Sequence, residues 1–368
     1  MPSFDKKFNK NHLIGSNETR HRKFDPETFF HSIVDLSISD RNYAGTLNEV
    51  WYTLRNIAEV PFSSALCQFR ERISFNFFRE KFEALINSYE PHRKTWRKLR
   101  VYATDADQYS LPASDDVINA GYRGYPCKDG NETHYPRMYV VHCVDAISGV
   151  TRDFRFSSNN LELQWALEIA TSLETHSVSL YDRFYFCRDL IKAHASSLSY
   201  FFARCKMGET VLMEVREFTQ SNSRKKKVIV NEHPITLLKI ENPVTGEEEV
   251  FATNLPEKYL KKNRVAELYS LRWGVETNHR DLTETMKIEK WHSKKLNGIL
   301  QEIYAMLWAS NVSRIQIAGF IKQKESISPE NRFACNIFTQ QRCLVSEVQH
   351  QPVCFVDSCS EKSLYADQ

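Results

Sequence analysis

The sequence contains no CxxC pair. Its nine cysteines are an odd number and lie scattered, which argues against a disulfide framework and points to reduced thiols in a cytoplasmic protein. Cys354 and Cys359 stand five apart, without the His or Cys pair that would complete a zinc site. The opening residues MPSFDKKFNK lack the apolar core of a signal peptide. No long uninterrupted hydrophobic run is present. The most apolar stretch, IYAMLWASNVSRIQIAGFI (303–321), carries Asn311, Arg314 and Gln316, and is expected to be a buried amphipathic helix, not a membrane span. There is little excess charge. The 49 Lys and Arg against 46 Asp and Glu leave +3, so no global basic field announces a nucleic-acid partner. Internal repeats and low-complexity segments are also lacking.

What is present is a chain of 368 residues, 42% hydrophobic and 26% charged, long enough for about two or three domains. Its basic charge is local, in HRKTWRKLR (92–100), SRKKK (223–227) and LKKNR (260–264). Such runs are commonly solvated faces, but these three flank acidic motifs.

Residues 1–100 read as helical. One helix start is signalled at Asp25 by the following Pro26 and Glu27. The stretch 62–90 has helical apolar spacing and fits either a DNA-contacting helix pair or a helical cap. From residue 101 the pattern changes. RVYATDAD reads as a strand ending in acid, and RMYVVHCVDAISGVTRDFRFSS as a hairpin turning at Ser148 and Gly149. A helix is expected over 160–174, a second acid-ended strand in SVSLYDRFYF, then a helix and the strand FFARCKM. Four short runs between 208 and 255, VLMEVREF among them, read as β, with a turn at NPVTGEE. A long helix over 262–290 and another over 296–322 follow. Strands alternating with helices predict an α/β core with a mixed sheet.

Three carboxylates stand out: Asp105 and Asp182 at strand ends, and Glu276 on the long helix. Tyr269, Arg272 and Glu276 fall at i, i+3 and i+7, on one helical face. A carboxylate beside a guanidinium and a phenol suits a site that holds metal and phosphate together. Breaking a phosphodiester needs an activated oxygen and a stabilised leaving oxygen, which two divalent ions about 4 Å apart supply. Magnesium takes such hard oxygen ligands. Asp105 would bridge the ions, with Asp182 and Glu276 each completing one. Arg280 and Lys287 fall on the same expected face. Each acid also has a plain reading: Asp105 as a turn cap, Asp182 paired with Arg183, Glu276 paired with Arg272 or Arg280. Asp107, Asp145 and Asp153 compete, and spacing does not choose among them.

TDADQYSLP (104–112), YDRFYF (181–186) and YSLRWGVE (269–276) resemble, in that order, the signature blocks of DDE transposases of bacterial insertion sequences. The likeness is to the IS-four family, whose third block reads Tyr-x2-Arg-x3-Glu, and it extends over roughly residues 60–340. The resemblance implies a ribonuclease-H-like mixed sheet core with a β-rich insertion and an N-terminal helical domain. It implies cleavage at element ends and strand transfer with two Mg2+ ions, which Mn2+ would replace. Asp105, Asp182 and Glu276 would be catalytic and metal-binding; Tyr269, Arg272, Arg280, Lys287 and Arg183 would bind DNA. The implied organisation is a DNA-binding helical region over 1–100, a first core part over 101–207 and the insertion over 208–255. The second core part would span 256–330, leaving 331–368 without an assigned role. The implied partners are terminal-repeat and target DNA and a second copy in a homodimeric synaptic complex, with no membrane, in a bacterial cytoplasm and on its nucleoid.

The chain departs from the family's pattern in three places. Ala106 and Asp107 replace Gly and a small hydroxyl residue, Phe184 replaces a Gly, and Thr283 replaces the Lys that closes the third block. Arg280 or Lys287 would substitute for that Lys. The alternatives are a DNA-binding protein derived from such an enzyme, and a nuclease on the same core.

Overall fold

The computed structural model describes residues 26–39, 42–51, 60–90, 93–125, 132–208, 212–242 and 246–317. The MPSFDKKFNK terminus, Asp25, the turn at 243–245, Cys354, Cys359 and the segment 331–368 lie outside the described residues.

Four helices come first: α1 (Pro26–Ile38), α2 (Tyr43–Val50), α3 (Ser63–Arg72) and α4 (Phe75–Tyr89). Pro26 opens α1, where a missing N–H costs nothing. Asn42 and Ser74 cap α2 and α4 through their side chains. The sheet begins with β1 (Arg100–Ser110), followed by the short helix α5 (Asp115–Asn119) and the hairpin β2 (Arg137–Asp145) and β3 (Thr151–Ser157). Its turn needs Gly149, at φ +74, where a Cβ would also meet the Arg314 guanidinium at 2.2 Å. Then come α6 (Glu162–Thr171), β4 (Ser177–Tyr181), α7 (Arg188–Ser197) and β5 (Tyr200–Arg204). After α8 (Met213–Gln220) three strands follow, β6 (Lys225–Val230), β7 (His233–Glu241) and β8 (Glu248–Thr253). The last described helices are α9 (Lys262–Ser270), α10 (Trp273–Arg280) and α11 (Leu296–Ile317).

All eight strands form one mixed sheet in the order β3-β2-β1-β4-β5-β8-β7-β6. β1, β4 and β5 run parallel, and the other neighbours pair antiparallel. The half β3-β2-β1-β4-β5, with its antiparallel hairpin beside parallel strands joined by helices, is a ribonuclease-H-like core; β8, β7 and β6 extend it. One face packs on α9 and α10 through Val101, Ala103, Leu180, Phe202, Leu268 and Val275. The other packs on α6, α7 and α8.

Four expectations from the sequence change here. β1 does not end at its acid but runs past Asp105 to Ser110, because β2 pairs with it along that whole length. VLMEVREF is not a strand but contains α8. Val215 and Phe218 stand at i and i+3 and are buried, while the residues between them are charged. α11 is not amphipathic. Every residue from 298 to 315 is buried, because α1, α3 and α4 enclose it against the sheet. Its polar side chains are matched: Glu302 with Arg70, Asn311 with the Thr151 backbone at 2.8 Å, and Arg314 with Asp281 at 2.7 Å. The helix expected over 262–290 is broken. Bonds of i to i+3 type at Leu271 and Arg272 separate α9 from α10. A π turn over Asp281–Thr285 follows α10, and Lys287 at φ +53 ends the run. Among the described residues no helix is long and apolar enough to cross a membrane.

Candidate active site

The sheet register brings the first two acids together. β1 and β4 run parallel, with Ala103 opposite Leu180 as the last matched pair. Two residues further along each chain stand Asp105 and Asp182. Strand alternation keeps both on the face of Ala103 and Leu180, the face that α10 covers. Asp182 begins the turn after β4, closed by the Tyr185 N–H donating to the Asp182 carbonyl at 3.2 Å. The buried Tyr185 ring returns toward Asp105, its hydroxyl 3.5 Å from Oδ1.

The third acid comes from α10. Gly274 lets this helix approach the hairpin turn, since a Cβ there would lie 3.2 Å from the Ala146 carbonyl oxygen. Asn278, fully buried, donates to the Gly149 carbonyl at 2.8 Å. With α10 so held, Glu276 pairs with Arg272 at 2.7 Å and not with Arg280. The Arg272 guanidinium lies 5.7 Å from the Tyr269 ring and 4.9 Å from that of Trp273. Tyr269 Oη and Arg272 Nε are buried without a partner among the described residues, two donors left for something else to accept.

The electrostatics tie these groups into one neighbourhood. Burial pushes the Asp105 carboxyl above its usual range; the Glu276 charge adds to this, while His279 and Arg272 oppose it. Arg272 is held above its ordinary value despite burial, by Tyr269, Glu276 and Asp182. Burial raises Tyr269 to about 12, with Asp182 adding to the shift and Arg272 opposing it.

The competing acids are otherwise engaged. Asp145 binds Arg93 at 2.9 Å and Asp153 binds Arg155 at 2.8 Å. Among the described residues neither Asp105 nor Asp182 has an ion-pair partner. Arg183 and Arg280 are exposed close to the acids in the chain. Lys287 is corrected: it lies beyond the helix end and does not share the Glu276 face, because its backbone has turned left-handed. Thr283, where the signature has Lys, donates from its hydroxyl to the His279 carbonyl at 2.9 Å.

Two groups were missed in the sequence. Glu162, at the start of α6, has its carboxyl raised by burial and by the charges of Asp105 and Asp182. It has no local signal, since only packing brings α6 there. His279 contacts Asp107 at 3.1 Å; its i+3 spacing from Glu276 was the available signal. Glu162 and Asp107 line a cleft of about 400 Å³ with Arg137, Tyr139 and Trp165. Tyr269, Arg272 and Trp273 line a second cleft of about 490 Å³.

Among the described residues no three His, Cys, Asp or Glu side chains gather closely enough to hold one ion. A two-ion arrangement does not require this. Magnesium is commonly held by one or two carboxylates, with water and phosphate oxygens completing the shell. Hard oxygen donors without ion-pair partners at Asp105 and Asp182 fit that chemistry. Glu276 fits it once it exchanges its Arg272 partner for a cation.

Comparison with known proteins adds a family. The family described as the transposase DDE domain matches residues 96–312. No curated protein matches the chain. Among solved structures, a piggyBac transposase synaptic complex with hairpin DNA is similar at a TM-score of 0.49 and 11% identity, over 96% of this chain and 78% of that one. The family match spans more than half of the chain, from the segment before β1 into α11, and the chain therefore belongs to the transposase DDE domain family.

Proposed function

We propose that this transposase serves a bacterial insertion sequence of the IS-four subgroup, cutting DNA at the element ends and joining the freed 3′-hydroxyl to target DNA. One observation carries the reading. The β1–β4 register, matched as far as Ala103 and Leu180, supports neighbouring positions for Asp105 and Asp182 on the face covered by the helix that carries Glu276, while Asp145 and Asp153 are taken by arginines.

Asp105, Asp182 and Glu276 would hold the divalent cations, Mg2+ or Mn2+. The ions would supply an activated attacking oxygen and a stabilised leaving oxygen. The remaining work falls to the chain. Tyr269 Oη and Arg272 Nε offer hydrogen bonds to non-bridging phosphate oxygens, and stacking on Tyr269 and Trp273 fixes the plane of the Arg272 fork. Arg183, Arg280 and Lys287 add attraction to the DNA backbone, which salt weakens. The protein acts as a homodimer on paired ends in the bacterial cytoplasm.

The test is cleavage of DNA carrying the native element ends, with magnesium, by wild type and Glu276→Ala. The expected result is 3′-hydroxyl products from wild type alone. A wild type that binds the ends and never cuts them makes the chain a DNA-binding derivative. Thr283 and the Arg272–Glu276 pair favour that second reading. Pre-cut ends that are never joined to target would make it a nuclease.

A further inference from the structure

Asp107, one of the departures from the signature, is engaged with α10. Strand alternation puts it on the same face of β1 as Asp105. Its Oδ2 lies 3.1 Å from His279 Nδ1, one turn beyond Glu276 on α10. Its Oδ1 accepts from the Gln108 N–H at 2.8 Å, which fixes the carboxylate. The imidazole is held from another side, with its ring 4.5 Å from that of His142. His142 is fully buried, bonded through Nε2 to Tyr109 Oη at 2.9 Å, and sits opposite Asp105 in the β1–β2 register. The neighbour of one acid is thus joined to the neighbour of another, on the rigid frame of two strands.

We propose that the Asp107–His279 contact is a positioning clamp: it sets the separation of Asp105 on β1 from Glu276 on α10, and with it the affinity of that carboxylate pair for a divalent cation. The inference rests on the reading of Asp105 and Glu276 as cation ligands. The clamp works as a hydrogen bond between neighbours of the ligands, so any side chain that keeps donor and acceptor in place keeps its function. Asn at position 107 preserves the acceptor, and Asn at position 279 places an amide donor near the site of Nδ1.

The experiment is Mn2+ binding to the full chain without DNA, followed by calorimetry. The variants are Asp107→Ala, His279→Ala, the two together, Asp107→Asn, His279→Asn and, as control, Asp105→Ala. Each single Ala variant is expected to weaken binding by about 10- to 100-fold, the usual effect of losing a partner behind the ligands. The double variant should be no weaker than the worse single one, because both remove the same contact. The two Asn variants should bind close to wild type, which general damage to the fold would not permit even where an Ala variant melts lower. Additive losses, unchanged affinity in the Ala variants, or Asn variants as weak as Ala would overturn the clamp. If Asp105→Ala abolishes binding while His279→Ala binds as tightly as wild type, the clamp alone fails. If Asp105→Ala binds normally, the ligand reading fails with it.

Discussion

Arg272 and Glu276 form a 2.7 Å ion pair across one turn of α10, with the carboxylate side chain 40% exposed. The guanidinium side of the pair is buried, with Arg272 only 10% exposed, while solvent reaches the carboxylate, so a cation competes for Glu276 from the open side. Arg272→Ala removes the guanidinium from both the pair and the site. It should lower end cleavage by about 100-fold, as loss of one positioned donor typically does, and weaken end binding. Arg272→Lys keeps the charge but not the fork, and should fall between the two in a gel-shift titration.

Asp105→Asn, Asp182→Asn and Glu276→Asn are each expected to abolish cleavage while leaving a cooperative melting transition. Near-normal cutting by any of them would remove that residue from the site. Asp105→Asn carries a further expectation. Its carboxyl is raised in the fold by burial, so folding favours the protonated form. The carboxyl's contribution to stability falls as pH rises from its unfolded pKa through its folded one. At pH 7 the Asn variant should melt at or above the wild-type temperature, and the difference should vanish in acid.

Glu302 is buried on α11 and is held below the usual carboxylate range; burial opposes this, but Arg70 and His292 outweigh it. Arg70 also binds Gln301 at 3.1 Å and the Gly298 carbonyl at 2.6 Å. Glu302→Ala would leave a buried guanidinium without its carboxylate, at a cost of about 3–5 kcal/mol. Arg70→Met together with Glu302→Leu should recover most of that loss in urea unfolding. A double variant no more stable than Glu302→Ala would refute this account.

His31 is buried on α1 with its ring 5.9 Å from that of Trp308, and burial, with Lys81 adding, lowers its pKa to about 3. The folded state thus takes up this proton less readily than the unfolded chain. Stability is fully present above about pH 6.5 and declines as pH falls toward 3, by about 2 kcal/mol from this group at pH 5. His31→Leu should flatten the decline, read from urea midpoints at pH 7 and 5. An unchanged slope would show that the burial of His31 does not control acid sensitivity.

Much of the frame is legible in the sequence because it rests on local chemistry. Alternation and turn residues mark β1, the β2–β3 hairpin at Gly149 and the acid-ended β4. The blocks around Asp105, Asp182 and Glu276 mark the family. α8 was misread because its Val and Phe content suits a strand, while its i, i+3 spacing is helical. Lys287 was placed by extending an ideal helix, but a sequence period does not reveal the π turn that ends the run.

The sequence by itself determined which residues are able to do the chemistry, since carboxylates, a guanidinium and a phenol in ordered blocks are properties of the chain. Only the tertiary structure decided which acids remain available. Asp145 and Asp153 are chemically equal to Asp105, and they differ because Arg93 and Arg155 reach them. The engagement of Asp107 by His279, and the arrival of Glu162 at the cleft, were likewise settled by packing. A side chain's partner is fixed by how strands and helices stack across long separations in the chain, and residue spacing carries no record of that.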